Sequence, residues 1–224
     1  MSRILILVEG QTEERFVKDL LVPHLRTLDP SASVTPTVIP TKRVLSGRDF
    51  KGGILNYAQI PDALHRMLGD RSALVTTLID FYGLPSGTPG VESLPAWANA
   101  REKVLHVEDA IWSDLGKPSN LAVHLALHEF EAFLFAESAA LEAAMDSRGL
   151  AAALDGIRRQ FASPEDINQG RETAPSKRIL ALRPEFGKTS HGVNAVKRIG
   201  LAKLRSECPH FAAWLDRLEA FVRG

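Results

Sequence analysis

Three acidic positions stand out because each follows an apolar run of the sequence. Glu9 follows residues 4–8, ILILV; Asp80 follows residues 73–79; and Glu129 and Glu131 come just after residues 121–127. Apolar runs of this length are typical of strands that are buried on both faces of a parallel sheet. Because sites in such sheets form beyond the carboxyl ends of the strands, we expect these carboxylates to converge.

Converging carboxylates repel one another, so the set requires a cation or a shared proton. Oxygen ligands alone favour Mg²⁺ or Mn²⁺ over zinc, and magnesium completes its coordination with water and substrate phosphates. The set therefore predicts phosphoryl chemistry, with Glu9, Asp80 and Glu131 as metal ligands. Together with Glu129, these residues are also the predicted catalytic carboxylates. For any one acid alone, a turn or cap role stays the alternative.

Two histidines lie close to the last of these acids. His128 precedes Glu129 directly and is a candidate for proton transfer or for steering a phosphate. The segment HEFEA is similar to part of the zinc helix H-E-x-x-H, but Ala132 stands where the second histidine is required. If residues 121–127 form a strand, His124 and His128 project to one face, and a metal role is an alternative to ordinary packing.

Basic residues are concentrated in the C-terminal part of the chain. Residues 171–205 contain nine Lys or Arg and two acids, whereas residues 129–146 contain five acids and no base, in a chain of net charge zero. This segregation favours an acidic metal pocket beside a phosphate-binding surface, with solvated helix faces as the alternative. The predicted phosphate or nucleic-acid contacts are Lys51, Lys177, Arg178 and Lys188.

Each of these contacts has a local rationale. Lys51 precedes two glycines that allow close backbone approach to a ligand, although a simple turn is the alternative. Lys177 and Arg178 follow Ser176, a candidate helix start whose amides can face an anion. Lys188 lies in FGKTSHG, which is similar to the end of a P-loop but lacks its first glycine and its preceding strand.

The elements that position these residues alternate between strand and helix. Thr12 is the predicted N-cap of a helix after the first strand, with Glu13 and Glu14 in the first turn, where the helix dipole favours acids. Residues 34–39 form at best an edge strand, because Pro36 interrupts them. The other predicted elements are helices at 57–68, 97–115, 176–183, 193–204 and 209–222, helical structure within 138–161, strands at 73–79 and 121–127, and a long loop at 81–95.

This order predicts an α/β fold with a mostly parallel sheet flanked by helices and a helical C-terminal region. We place the core at residues 1–135 and the helical region, packed on it, at residues 136–224. No apolar run approaches the roughly 18 residues that a membrane span needs, and the first run is not typical of a signal peptide. The single cysteine, Cys208, favours a reducing cytoplasm. Trp97, Trp112 and Trp214 are predicted core residues.

Several sequence blocks resemble a known fold family. The segment ILILVEGQTEERFV, followed about seventy residues later by LVTTLIDFYG, resembles the Toprim domain shared by topoisomerases, primases and overcoming-lysogeny-type nucleases. The set VEGQTEE, KGG, IDFYGLP, HEFEAFLF, APSKRI and CPHFAAWLDRLE resembles, more narrowly, an uncharacterised bacterial family of Toprim-like proteins that is known as a domain of unknown function.

The Toprim resemblance implies a first-strand Glu that acts as general acid, general base or metal ligand, and an Asp-x-Asp pair that binds Mg²⁺. Glu9 matches the first position and Asp80 the first aspartate, but Tyr82 stands at the second. Either Glu129 or Glu131 supplies the missing oxygen, or the site binds one metal weakly, or catalysis has been lost.

The leading functional hypothesis is Mg²⁺- or Mn²⁺-dependent phosphodiester hydrolysis of DNA or RNA by a cytoplasmic nuclease, as a defence or repair effector. The alternative is a non-catalytic Toprim-like subunit that binds nucleic acid or a partner, such as an ATPase. Tyr82 favours the alternative, whereas the strand-end carboxylates and the basic C-terminal region favour the nuclease.

Overall fold

The computed structural model describes residues 1–39, 54–168, 170 and 172–224. The predicted glycine-containing loop at 42–53 and its Lys51 lie outside the described residues.

A parallel sheet forms the centre of the described structure. Its strands have the order β2-β1-β3-β4, and β5 pairs with β3 beyond the end of β4. Each pairing is parallel, so the carboxyl ends of β1, β3 and β5 point to the same edge of the sheet. The strands are β1 Arg3–Val8, β2 Ser33–Val38, β3 Leu74–Asp80, β4 Leu121–Ala122 and β5 Leu125–Ala126.

Helices cover the sheet and make up most of the C-terminal half. A helical segment after β1 consists of α1 Gln11–Phe16, a π-helical turn Val17–Leu21 and α2 Val22–Leu28. The other helices are α3 Gln59–Leu68, α4 Ala100–Asp114, α5 Ser138–Met145, α6 Leu150–Arg158, α7 Pro175–Leu182, α8 Val193–Glu207 and α9 Pro209–Arg223. Short turns occur at Phe81–Gly83, Phe130–Phe135 and Pro164–Asp166, which are 3₁₀-helical, and at Lys188–Gly192, which is π-helical.

The side chains of β1 show why its apolar run has no polar interruption. Ile6 and Val8 pack into a core that also contains Phe211 of α9, whereas Leu7, between them, packs into a second core with Leu64 of α3. Successive side chains of a strand point to opposite faces, so a strand covered on both faces must be apolar at every position. Fully burying one such side chain contributes about 1.5–3 kcal/mol.

The predicted α/β class, with a mostly parallel sheet, flanking helices and a helical C-terminal region, is confirmed. The division between residues 135 and 136 stays a prediction. Within the described ranges, no helix combines the length and the apolar character that crossing a membrane requires.

Four details differ from the prediction. The helix after β1 begins at Gln11, so Gly10 and not Thr12 is its N-cap. The strand at 121–127 is divided between β4 and β5, because the Thr77 hydroxyl bonds both the N–H and the carbonyl of His124. The helical stretch 138–161 is two helices, since Asp146 has φ 48° and Gly149 has φ 86°, a left-handed conformation that ends a helix. Trp97 is not a core residue, because it is 81% exposed before the start of α4.

Candidate metal and catalytic site

The predicted convergence of strand-end acids is present at the carboxyl edge of the sheet. Glu9 follows β1, Asp80 is the last residue of β3, and Glu131 lies in the turn after β5. The backbone N–H of Asp80 donates to Glu9 Oε2 at 3.4 Å, and the N–H of Phe130 donates to Asp80 Oδ1 at 2.9 Å. These bonds connect the ends of β1 and β3 to the turn that carries Glu131.

Glu13 joins these three acids. The sequence did not predict its place in this site. Its side chain is buried, and its Oε2 accepts a hydrogen bond of 2.9 Å from the N–H of Gly10 at the helix N-terminus. It is also close enough to Glu9 and Asp80 to raise the pKa of both. The predicted first-turn role is thus correct but incomplete. We call Glu9, Glu13, Asp80 and Glu131 the carboxylate cluster.

Lys188 brings a positive charge to the carboxylate cluster. Its ammonium group donates to Glu131 Oε2 at 2.8 Å, and its side chain is 46% exposed while that of Glu131 is 2% exposed. Lys188 also lowers the pKa of Glu9, Glu13 and Asp80, so its charge acts on the whole cluster. The residue predicted as a phosphate contact therefore lies at the solvent side of the predicted metal site.

The acids of the carboxylate cluster bind protons more strongly than exposed acids do. Burial, followed by repulsion from Glu13, raises the pKa of Glu9 from 4.5 to about 7. Burial is also the main cause of the raised pKa of Glu13, Asp80 and Glu131. The cluster holds more negative charge than the single Lys188 can neutralise, so a further cation would be favoured there.

The turn after β3 is shaped around Glu9. A Cβ atom at Gly83 would lie 2.7 Å from Glu9 Oε2, which is closer than real Cβ atoms come to such an oxygen. Only glycine lets this backbone approach the carboxylate without displacing it.

Tyr82, at the position of the second Toprim aspartate, does not contribute a carboxylate. Its half-exposed ring stacks on the ring of His128, with centroids 5.1 Å apart and planes 18° apart. Both ring nitrogens of His128 are buried and have no hydrogen-bond partner among the described residues. Burial lowers the pKa of His128 to about 4, so its ring is neutral near pH 7. Its proton-transfer role stays a prediction.

Glu129 has a different environment from Glu131. Its Oε2 accepts a hydrogen bond of 2.9 Å from the backbone N–H of Ser176, in the first turn of α7. The predicted anion-binding helix start is therefore occupied by a carboxylate of the chain itself. Of the two alternatives for the missing oxygen, Glu131 is the one that lies in the carboxylate cluster.

The other predicted phosphate contacts differ in how freely they can bind a ligand. Lys177 is exposed on α7. Arg178 instead donates through Nε to the carbonyl of Thr173 at 2.6 Å, and its guanidinium lies 5.4 Å from the ring centre of Phe161.

A second buried group lies away from the sheet edge. Glu108 of α4, His124 between β4 and β5, and His210 of α9 each offer a ligand atom, and these atoms lie within 4.8 Å of one another. We call these three residues the histidine cluster, and it could bind a metal ion. Sequence reasoning singled out His124 but paired it with His128, because the two are neighbours in the sequence whereas Glu108 and His210 are distant.

The parallel sheet, the helices on its faces and the acids at its strand ends define an α/β protein. More particularly, a model of the family described as "Domain of unknown function (DUF4276)" matches residues 8–219, and the chain belongs to that family. This agrees with the predicted membership in a family of unknown function, whereas the Toprim-like character and the individual sequence blocks stay predictions.

Comparison with curated proteins found no significant match. Among solved structures, the chain is similar to the C-terminal region of the Burkholderia pseudomallei OLD protein. The sequences are 20% identical, the TM-score is 0.46, and the similarity covers 100% of this chain and 98% of the other.

Proposed function

We propose that this protein is a divalent-metal-dependent nuclease that hydrolyses phosphodiester bonds of DNA or RNA. The observation that carries the proposal is the carboxylate cluster, in which buried oxygens from three strand ends and one helix start gather around a single lysine. Buried acids are costly to the fold unless they are neutralised. A function that requires a cation at this place explains why the chain carries them.

The donor atoms fit Mg²⁺ or Mn²⁺. Glu9, Asp80 and Glu131 would hold the ion, and Glu13 adds a fourth carboxylate next to them. All four offer hard oxygen ligands, and the Lys188 ammonium already lies against Glu131 as a positive counter-charge. When bound, the metal would lower the pKa of a water molecule and stabilise negative charge on the phosphate.

The side chains of the cluster support the reaction in distinct ways. Glu9 would serve either as a ligand of the ion or, if Asp80 and Glu131 hold the ion, as the base that takes a proton from an attacking water. Asp80 is held in place by the Phe130 N–H, which limits its movement. Lys188 is half exposed, so its ammonium group can also contact a phosphate oxygen of a substrate that approaches from solvent.

The exposed Lys177 of α7 would contact the nucleic-acid backbone, whereas three bases of α8 (Lys197, Lys203 and Arg205) are paired with acids of the chain. Phosphate contacts of this kind depend on charge rather than on sequence. Action in defence or repair and cooperation with an ATPase belong to the same proposal.

The test is cleavage of DNA and RNA by purified protein with Mg²⁺ or Mn²⁺. We expect cleavage that is lost in Glu9→Gln and in Asp80→Asn but kept in Glu137→Gln, an exposed acid outside the cluster. Absence of cleavage with both metals, or cleavage that persists in Glu9→Gln, would contradict the proposal.

The second candidate function is a non-catalytic subunit that binds nucleic acid or a partner. Tyr82 favours it, because the ring that stands in place of a metal-binding aspartate packs on His128. Calorimetric titration with Mn²⁺ separates the two candidates. The nuclease requires a Mn²⁺ site that Asp80→Asn abolishes, whereas the binding subunit requires none.

A further inference from the structure

The histidine cluster joins three elements that are distant in the sequence. The Nε2 atom of His210 lies 2.9 Å from Glu108 Oε1, and Nδ1 of His124 lies 3.8 Å from the same oxygen. The side chains of His124, His210 and Glu108 are 3%, 5% and 12% exposed. Two imidazoles and one carboxylate are thus collected between α4, the sheet and α9.

The chemistry of this group differs from that of the carboxylate cluster. Imidazole nitrogens are ligands for zinc and similar transition metals, and magnesium selects oxygen instead. Ligand atoms of a tetrahedral zinc ion are separated by roughly 3.3 Å, because each lies about 2.0–2.2 Å from the metal. The two distances to Glu108 Oε1 lie on either side of that value.

A second observation points to a ligand. The Nε2 atom of His124 is buried and has no hydrogen-bond partner among the described residues. Since Nδ1 is the nitrogen that faces Glu108, Nε2 stays without a partner until the ring turns or a ligand binds it, which is a cost to the fold.

Glu108 brings one side of the group to the surface, although neither histidine lines the pocket there. Glu108 lines a surface pocket of about 420 Å³, together with Trp112 and Arg217. An ion can enter through this pocket, and a water or another small ligand there could complete the coordination that three protein ligands leave open.

We propose that Glu108, His124 and His210 form a Zn²⁺ site that is separate from the carboxylate cluster. The ion links α4, the β4–β5 connection and the first turn of α9, and so fixes the C-terminal helix against the sheet. The proposal does not depend on nuclease activity.

The aromatic contacts of His124 provide a signal for metal binding. Its ring stacks on that of Trp214 at 4.6 Å and 8°, and on that of His210 at 4.7 Å and 26°. A metal ion lies in the plane of each imidazole that binds it, so two nearly parallel rings can share one ion only after one of them turns. Zinc binding therefore changes the surroundings of Trp214 and its fluorescence.

The experiment uses the full chain, freed of metal by a chelator and carrying Asp80→Asn to disable the carboxylate cluster. Titration with Zn²⁺ is followed by calorimetry and by tryptophan emission. We expect one zinc ion per chain, a change in emission with the same midpoint, and no displacement by excess Mg²⁺. Zinc should also raise the melting temperature.

Variants then locate the site. Glu108→Gln and His210→Gln should each lower zinc affinity by roughly 100-fold or more. Even changes to residues that only hydrogen-bond a metal ligand cost about 10–100-fold in metal affinity. His65→Gln, an exposed histidine of α3, is the matched control and should change nothing. Circular dichroism before metal addition shows whether each variant folds, and Glu108→Gln has the same shape as the native residue.

No zinc binding by the folded parent protein, or binding that survives in both Glu108→Gln and His210→Gln, would overturn the proposal. The histidine cluster would then be a hydrogen-bonded network of the core. Because the parent carries Asp80→Asn and the measurement is not cleavage, failure of the nuclease proposal leaves this result unaffected.

Discussion

The carboxylate cluster and the histidine cluster are both buried groups of ionisable side chains, but their charges are compensated differently. The carboxylate cluster has four acids and one lysine, and burial raises the pKa of each acid. In the histidine cluster the single acid, Glu108, accepts hydrogen bonds from the Leu125 N–H at 2.8 Å and from His210 at 2.9 Å. Each acid of the carboxylate cluster also accepts a hydrogen bond, but that group has four acids and one base, whereas the histidine cluster has one acid beside two imidazoles.

This difference indicates what each group does for the molecule. An uncompensated buried charge destabilises the fold, so the carboxylate cluster is best explained by a ligand that it binds. In the metal-free chain, the hydrogen bond between His210 and Glu108 connects α9 with α4. Changes in the first group should therefore affect activity, and changes in the second should affect stability.

The largest expected effect is on cleavage by variants of the carboxylate cluster. Glu9→Gln or Asp80→Asn should lower the cleavage rate by roughly 100-fold or more, because each removes a charged oxygen from the centre of charge stabilisation. Steady-state rates with Mn²⁺ measure the loss. Cleavage that falls equally in Glu137→Gln would show that the loss is not specific to the cluster.

The second effect concerns stability against pH. The pKa of Glu9 is 4.5 unfolded and about 7 folded, so the folded chain binds more protons between these values. The contribution of Glu9 to the free energy of unfolding is therefore largest below pH 4.5, and it is lost as the pH rises through about 7. A shift of this size corresponds to about 3 kcal/mol.

Glu9→Gln should therefore raise the free energy of unfolding at pH 8, without divalent metal, by up to about 3 kcal/mol, and change it little at pH 4. Urea denaturation at both pH values measures this. Added Mn²⁺ should stabilise the native chain and not the variant. A variant that is less stable than the native chain at pH 8 would show that Glu9 is satisfied by its surroundings.

The third effect tests the other side of the comparison. His210→Phe keeps an aromatic ring but removes a donor to the buried Glu108, which should lower the free energy of unfolding by about 2 kcal/mol. His210→Gln keeps a donor and should cost less. Cleavage with Mg²⁺ should stay unchanged in both variants while they are folded. Loss of cleavage in folded His210→Phe would mean that the two clusters are coupled.

The fourth effect is confined to one side chain of the carboxylate cluster. The Cβ atom introduced by Gly83→Ala would meet Glu9 Oε2 at 2.7 Å, and the end of a flexible side chain can move away at little cost. We expect cleavage to fall about tenfold, equivalent to about 1.4 kcal/mol, with little change in melting temperature. Gly87→Ala is a contrasting control, since a Cβ there meets nothing within 4 Å but is strained by φ 84°. It should lower stability and leave cleavage intact.

The strands and their terminal acids could be predicted because the evidence for them is local. Strands buried on both faces are mostly apolar, so β1 is evident as a continuous run that ends at Glu9, and β3 as a run that ends at Asp80 with only Thr76 and Thr77 polar; their hydroxyls donate to the carbonyls of residues 122 and 124. Helix boundaries were close to those observed wherever a proline or glycine marks them, as at Pro209 for α9.

What the sequence could not predict are the contacts between distant residues. Glu13 has a sufficient local explanation as a first-turn acid, and only packing shows that it is buried beside Glu9. Lys188 is 57 residues from Glu131, and His210 is 102 residues from Glu108. No periodicity connects pairs at such separations, so Glu13 in the carboxylate cluster, and Glu108 and His210 in the histidine cluster, become visible only in the folded chain.

The smallest expected effect separates surface charge from both clusters. Lys177 is exposed on α7, whereas its neighbour Arg178 bonds the Thr173 carbonyl and lies over Phe161. Lys177→Ala should weaken nucleic-acid binding a few-fold and reduce the salt slope of the affinity by about 0.9, the contribution of one phosphate contact. Arg178→Ala should instead lower the free energy of unfolding by about 1 kcal/mol, through lost packing and hydrogen bonding.

Anisotropy titrations with labelled DNA and RNA at several salt concentrations measure the salt slope of the affinity, with Ca²⁺ in place of Mg²⁺ to limit cleavage. If Lys177→Ala leaves the slope unchanged while Glu9→Gln abolishes cleavage, the substrate reaches the carboxylate cluster over a different surface of the molecule.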